Sequence, residues 1–202
     1  MHFRAASAAI APLIVTLCGL STQGVIAQTD APPTRVRFFV PYVVARLNPA
    51  LNVTDRLSGS CFAGSVADAG RATAWRCAAG NRILDPCFES GLGDATEVMC
   101  SSGPWSGDVV QLTLESPLPV ERRNQDDPAN NLPWALELPD GAHCTLLTGA
   151  TALIAGMRIN YGCEGGGSVL GAPDRTLPVW RAQVLPRDAF ATDATAIVAA
   201  WY

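Results

Sequence analysis

The sequence contains no lysine: all 14 of its basic residues are arginines, set against 18 acidic residues. Schiff-base chemistry and a phosphate loop ending in Gly-Lys both require a lysine amine, so both are excluded. Histidine is almost as scarce, with His2 at the N-terminus and His143 far downstream. Charged residues make up 16% of the chain and the formal net charge is −4. A mildly acidic chain of this kind argues against nucleic acid as a partner, because phosphate backbones are bound by basic faces. No stretch carries a sustained apolar stripe at helical spacing. No Gly-x-Ser-x-Gly elbow marks an exposed serine nucleophile.

Seven cysteines are present, and they divide into one plus six. Cys18 lies in an apolar run over residues 5–20, preceded by Met1-His2-Phe3-Arg4 and followed by Val25-Ile26-Ala27. Basic start, apolar middle and small-residue exit are the three parts of a bacterial export signal, which places cleavage after Ala27. Pro12, Gly19 and the polar Ser21-Thr22-Gln23 interrupt the run before the roughly 20 residues needed to span a bilayer. No membrane insertion is therefore expected once the signal is removed. Leu17 is too bulky for the small residue that lipidation of Cys18 would need. The expected organisation is a signal peptide over 1–27, a short linker over 28–33 and a single domain over 34–202. Cys61, Cys77, Cys87, Cys100, Cys144 and Cys163 remain, an even set that suits the oxidising periplasm, cell envelope or exterior.

Period-two alternation dominates the rest of the chain. Trp134, Leu136 and Leu138 alternate with Ala135 and Glu137, and Val110, Leu112 and Leu114 alternate with Gln111 and Thr113. Met157, Ile159, Tyr161 and Cys163 share one face, opposite Arg158 and Asn160. Each pattern predicts a half-buried strand. Weaker alternation predicts strands over 35–47, 179–185 and 195–202, and the β-branched Thr192, Thr195, Ile197 and Val198 favour a strand over a helix at the C-terminus. The expected fold is all-β, mainly antiparallel, a sandwich or barrel stapled by disulfides, with little helix outside the signal. Residues 116–133, rich in proline and charge, read as a long exposed loop.

Six cysteines permit many pairings, which sequence alone does not resolve. Local geometry still expresses a preference. Pro139-Asp140-Gly141 signals a turn between residues 134–138 and 142–148, which puts Cys144 on a strand face with Leu146. Cys144 and Cys163 then fall on neighbouring strands, and sequential pairing leaves Cys61–Cys77 and Cys87–Cys100 as local staples.

The residues Cys61-Phe62-Ala63-Gly64-Ser65, Ala74-Trp75-Arg76-Cys77, Gly80-Asn81, Asp85-Pro86-Cys87-Phe88 and Asn160-Tyr161-Gly162-Cys163 carry a resemblance. Over residues 58–184 the chain resembles a largely uncharacterised group of secreted or surface-exposed bacterial domains. The resemblance implies export and disulfides, and it carries over no catalytic residue.

Candidate chemistry is sparse. His143 is the one histidine beyond the signal, adjacent to Cys144 but on the opposite strand face, with Asp140 nearby in sequence as a possible acid for a Ser/His arrangement. Paired carboxylates need only two acids held roughly 5–10 Å apart. Glu137 on its strand and Asp85 in an Asp-Pro-Cys turn are the best placed, although an outward strand position and a turn side chain bonded to backbone amides account for them equally. Asp126, Asp127, Asn130 and Asn131 offer oxygen ligands without the spacing of a known calcium loop. One histidine and paired cysteines cannot build a tetrahedral zinc site, so neither a metal nor another cofactor is expected. Glu164-Gly165-Gly166-Gly167-Ser168 lacks both lysine and helix signal, and reads as a turn after Cys163.

Trp75, Trp105, Trp134, Trp180 and Trp201 are spread along the chain. Four sit in strand-like contexts. Trp105 lies between Gly103-Pro104 and Ser106-Gly107, where a large ring either plugs the edge of a core or makes a contact surface. Trp105 is therefore the candidate ligand-binding residue. The leading expectation is a non-catalytic binding or interaction module at the cell envelope, its partner an envelope glycan or a surface protein. An envelope-directed hydrolase using paired carboxylates or a Ser/His arrangement is the alternative, and a structural surface protein the second alternative.

Overall fold

Small and β-branched residues, frequent glycine and the absence of helical periodicity leave this chain one route to burying its apolar groups, which is to pair strands and cover their faces. The computed structural model describes residues 31–120 and 131–202, and these contain strands and turns but no helix. The export-signal and linker expectations up to residue 30 lie outside the described residues, as do Asp126, Asp127, Asn130 and the centre of the loop expected over 116–133. Residues 31–202 belong to one compact unit.

The first half closes into a five-stranded barrel: β4 (Asn52–Gly64), β5 (Ala74–Ala79), β6 (Arg82–Phe88), β7 (Glu97–Cys100) and β8 (Asp108–Leu114). Successive strands pair antiparallel, and β8 returns beside β4 in parallel register from Asn52↔Asp108 to Gly59↔Leu114. Closure removes the free edges that an open sheet of this size would present. Its interior gathers Cys61, Trp75, Cys77, Cys87, Val98, Cys100 and Leu112. At Gly59 a side chain would collide with the carbonyl oxygen of Ala78, so the close approach of β4 to β5 needs glycine. Two disulfides, Cys61–Cys77 and Cys87–Cys100, join directly opposed residues on β4/β5 and on β6/β7.

The second half is an open, curled sheet: β1 (Arg35–Arg37), β9 (Ala135–Glu137), β10 (His143–Leu146), β11 (Leu153–Ile154), β12 (Met157–Cys163), β13 (Ser168–Asp174), β14 (Arg181–Leu185), β15 (Asp193–Ala196) and β16 (Ala199–Trp201). Their order is β1-β16-β9-β10-β12-β13-β14-β15, with β11 alongside β12. Only β1 runs parallel to its neighbour. The strand expected over 195–202 is two strands, broken at Ile197–Val198. That break lets one segment pair with β14 as β15 and with β9 as β16, so the two ends of the row are drawn round into a half-barrel. The strand expected over 35–47 is likewise three: β1, then β2 (Tyr42–Val43) and β3 (Arg46–Leu47) in a separate hairpin.

Alternation assigns the two faces of the curled sheet. Leu136, Cys144, Tyr161, Val169, Ala182 and Ala200 point into its own core, where Tyr161 donates its hydroxyl to the Pro133 carbonyl at 2.8 Å. Cys144 and Cys163 are opposed on β10 and β12 and joined by the third disulfide. On the other face Ala135, Ala199 and Trp201, with Trp134 just before β9, meet Phe39, Phe88, Met99 and Val109 from the first half of the chain. Trp134 stands edge-on to Phe39 at 5.8 Å. This aromatic layer cements barrel to sheet, and each fully buried ring in it is worth about 3–5 kcal/mol against truncation to alanine.

Candidate functional site

Strand register brings ionisable residues from four separate segments into one row. Arg35 on β1 faces Ala199 on β16, Ala199 faces Glu137 on β9, and Glu137 faces His143 on β10. Glu164 follows at the end of β12, its amide bonded to the His143 carbonyl. Directly opposed residues share a face, so Arg35, Glu137, His143 and Glu164 project together. Arg35 Nη2 lies 3.6 Å from Glu137 Oε2, and His143 Nδ1 lies 3.1 Å from Glu164 Oε2. Cys144 points the other way, into the sheet core, as alternation requires.

Trp105 is set against this row by the loop between β7 and β8. Ser101 folds that loop on itself, donating its hydroxyl to the Gly103 carbonyl at 3.0 Å and accepting from the Gly103 amide at 3.3 Å. A Cβ at Gly103 would lie 2.6 Å from the Trp105 ring, so this glycine makes room for the indole. The indole then stacks on His143, with centroids 4.2 Å apart and planes 9° from parallel. Its edge meets Trp201 at 6.0 Å, and the Arg37 guanidinium covers Trp201 at 5.5 Å. Three residues singled out from sequence, Trp105, Glu137 and His143, thus share one ledge at the seam of barrel and sheet. Trp105 is half-buried and packs against the aromatic layer, so it combines the plug and the surface roles expected of it.

The ledge is not built like a hydrolytic centre. Among the described residues the side chain hydrogen-bonded to His143 is Glu164, and no serine, threonine or cysteine side chain is bonded to it. One face of the imidazole is occupied by Trp105. A general base must reach the proton of a nucleophile within about 3 Å, directly or through a water, and no described serine, threonine or cysteine side chain is bonded to His143. Asp140 instead caps its own turn, accepting from the Ala142 amide at 3.0 Å.

Asp85 lies elsewhere and in a different element from the one expected. It sits within β6, where a cis peptide joins it to Pro86, and not in a turn. Proline has no amide to donate, which is why the sequence reads there as a strand break. Its side chain accepts from Ser65 Oγ at 2.5 Å and from the amides of Val66 and Ala67, and pairs with Arg76 Nη1 at 3.3 Å. Burial is the largest influence and lifts its pKa above the ordinary carboxylate value, against the opposing pull of these partners. Arg76 also donates to the Thr148 carbonyl at 3.2 Å, tying the barrel to the loop after β10. Glu137 and Asp85 therefore occupy separate ion pairs, each with its own arginine.

Two clefts carry no local signal in the sequence. One, of about 630 Å³, is lined by Trp75, Glu89, Asp94, Thr96, Glu115 and Leu118, with Trp75 Nε1 donating to Glu89 at 2.9 Å. Its acids are separated in sequence and adjoin no recognisable motif. The other, of about 410 Å³, is lined by Phe38, Val40, Asp68, Arg71, Asn131 and Tyr202. There, burial holds the Arg71 guanidinium below its usual pKa, partly offset by Asp68. Asn131, one of the candidate calcium ligands, accepts through its backbone carbonyl from Arg175 at 3.1 Å. Among the described residues no group of three or more His, Cys, Asp or Glu is arranged to hold a metal ion. Comparison with protein-family models, with curated proteins and with solved structures finds no match to this chain.

Proposed function

We propose that this chain is an exported, non-catalytic interaction module that binds a protein partner at the cell envelope through the ledge between β1 and the Trp105–His143 stack. The observation that carries the reading is that stack: it uses the one histidine beyond residue 2 as a packing and hydrogen-bonding group, with no nucleophilic side chain bonded to it among the described residues. Three cross-strand disulfides support an oxidising compartment outside the cytoplasm. The ledge favours a protein over a glycan for a geometric reason. A sugar platform needs an open aromatic face, whereas Trp105 has His143 on one face and Gly103 against its ring. What remains available is the mixture of arginine, carboxylate and aromatic edge that is common at protein interfaces.

The test immobilises the chain from residue 28 and compares retention of an envelope-protein extract with retention of purified envelope glycan. Proteins should be held by the wild type and lost from folded Trp105→Ala and Arg37→Glu, with glycan not retained. Turnover of an ester, peptide or glycoside that disappears in folded His143→Ala would replace this reading with a hydrolase.

A further inference from the structure

We infer that the outer edge of β1 takes up an extended segment of the partner protein as an added strand, one whose side chains alternate between acidic and apolar. This rests on the interaction-module reading and names the chemistry of its partner.

The backbone bonding fixes which groups are available. The Arg35 amide donates to Val198 at 3.0 Å, the Arg37 carbonyl accepts from Tyr202 at 2.9 Å, and the Phe39 amide donates to Tyr202 at 2.9 Å. Parallel pairing uses alternate residues, so Arg35, Arg37 and Phe39 spend their backbone groups on β16 while Val36 and Phe38 turn theirs outward. None of those outward groups is bonded to a described residue. One end of the edge is defined by Thr34, whose amide donates to the Pro178 carbonyl at 2.9 Å.

The side chains specify what would fit. Val36, Phe38 and Val40 are 47%, 70% and 45% exposed, an apolar stripe at strand spacing, and Phe38 and Val40 line the cleft of about 410 Å³ beside it. Arg35 and Arg37, also exposed, project from the opposite face. In an added strand, residues directly opposite share a face and opposite charges are favoured. Acidic side chains would meet Arg35 and Arg37, and the intervening apolar ones would cover Val36 and Phe38. Charged residues on an edge strand also serve to discourage pairing. That role does not explain an exposed phenylalanine directly after the strand, lining the cleft of about 410 Å³.

Two short fluorescent peptides, one alternating glutamate with valine and one alternating lysine with valine, test the inference by anisotropy with the chain from residue 28. The glutamate peptide should bind at least about tenfold more tightly, the scale expected for two reversed cross-strand charge pairs. Arg35→Glu with Arg37→Glu should invert the preference. Val36→Pro removes an outward amide and leaves the β16 bonds in place, so it should weaken the glutamate peptide at least about tenfold in a protein with an unchanged circular dichroism spectrum. Equal affinity for both peptides, or indifference to Val36→Pro, would overturn strand addition. Self-association abolished by Val36→Pro would assign the edge to a second copy of the chain and also overturn it. Envelope proteins retained by Val36→Pro but lost from Trp105→Ala would refute strand addition alone, while failure of the wild type to retain any would refute the module reading itself.

Discussion

The indole of Trp105 and the imidazole of His143 lie parallel with centroids 4.2 Å apart, joining a barrel loop to the first hairpin of the curled sheet. Ring-current shielding makes this contact directly visible. The His143 side-chain protons should resonate well upfield of free histidine in the chain from residue 28, where no second histidine overlaps them. Trp105→Ala should return them to ordinary values, and shifts that do not respond to this substitution would contradict the stack.

Gly103→Ala should displace the same contact without touching either ring, because its methyl would lie 2.6 Å from the indole. The expected outcome is loss of the upfield shift with a destabilisation of about 1–3 kcal/mol, the usual cost of overpacking. Denaturant titration followed by tryptophan fluorescence measures it. A neutral substitution with the shift intact would place the loop differently.

The disulfides give a prediction about redox state and stability. Denatured, non-reduced protein beginning at residue 28 should show no reactive thiol. Replacing Cys144 and Cys163 together by serine should cost about 2–5 kcal/mol, since this bridge ties β10 to β12 inside the sheet core. Mass mapping to any other pairing would contradict the strand register itself.

Asp85 carries a pH prediction whose sign follows from burial. Its pKa is raised in the folded chain, so the folded state holds this proton more tightly than the unfolded state does. Its stabilising contribution is therefore complete below the unfolded value of about 3.9 and declines as pH rises through the folded value. Asp85→Asn does not titrate, so its destabilisation relative to wild type should be greater at pH 4 than at pH 7. Melting temperatures of both proteins at the two pH values decide it, and the opposite trend would mean that Arg76 and the amide donors outweigh burial.

Tyr161→Phe leaves the buried Pro133 carbonyl without its hydroxyl donor and should cost about 1–2 kcal/mol in urea unfolding. No change would place that carbonyl in contact with water.

The curled sheet was the more legible half of the fold. Tyr161 and Cys163 alternate because the second half of β12 has one face in the core, whereas a register shift between Ile159 and Tyr161 takes Met157 and Ile159 out of it, and Pro139-Asp140-Gly141 closes a hairpin whose geometry is local. The barrel was harder to read. In β4 the alternation passes through Asp55, Gly59 and an outward Phe62, and β6 contains a proline, so these two strands lack the apolar period that marks β8. The site was legible only as separate residues. Trp105 stood out for its glycine-bounded loop and His143 for its rarity, but their stacking depends on how the barrel meets the sheet. The row from Arg35 to Glu164 depends on a parallel pairing between chain ends more than 160 residues apart, which no local pattern encodes. The open edge of β1 is invisible in sequence for the same reason, because an edge is a property of the completed sheet.

Photocrosslinking reports on the occupant of the β1 edge without any substitution in the partner. With p-benzoyl-phenylalanine placed at Val36 on β1 or at Ala194 on β15, at the other end of the sheet row, the chain is irradiated with envelope proteins. A defined covalent adduct is expected from position 36, reduced by Arg37→Glu and by Trp105→Ala, and none from position 194. Equal adducts from the two positions, or none from 36 while 194 reacts, would contradict strand addition at this edge.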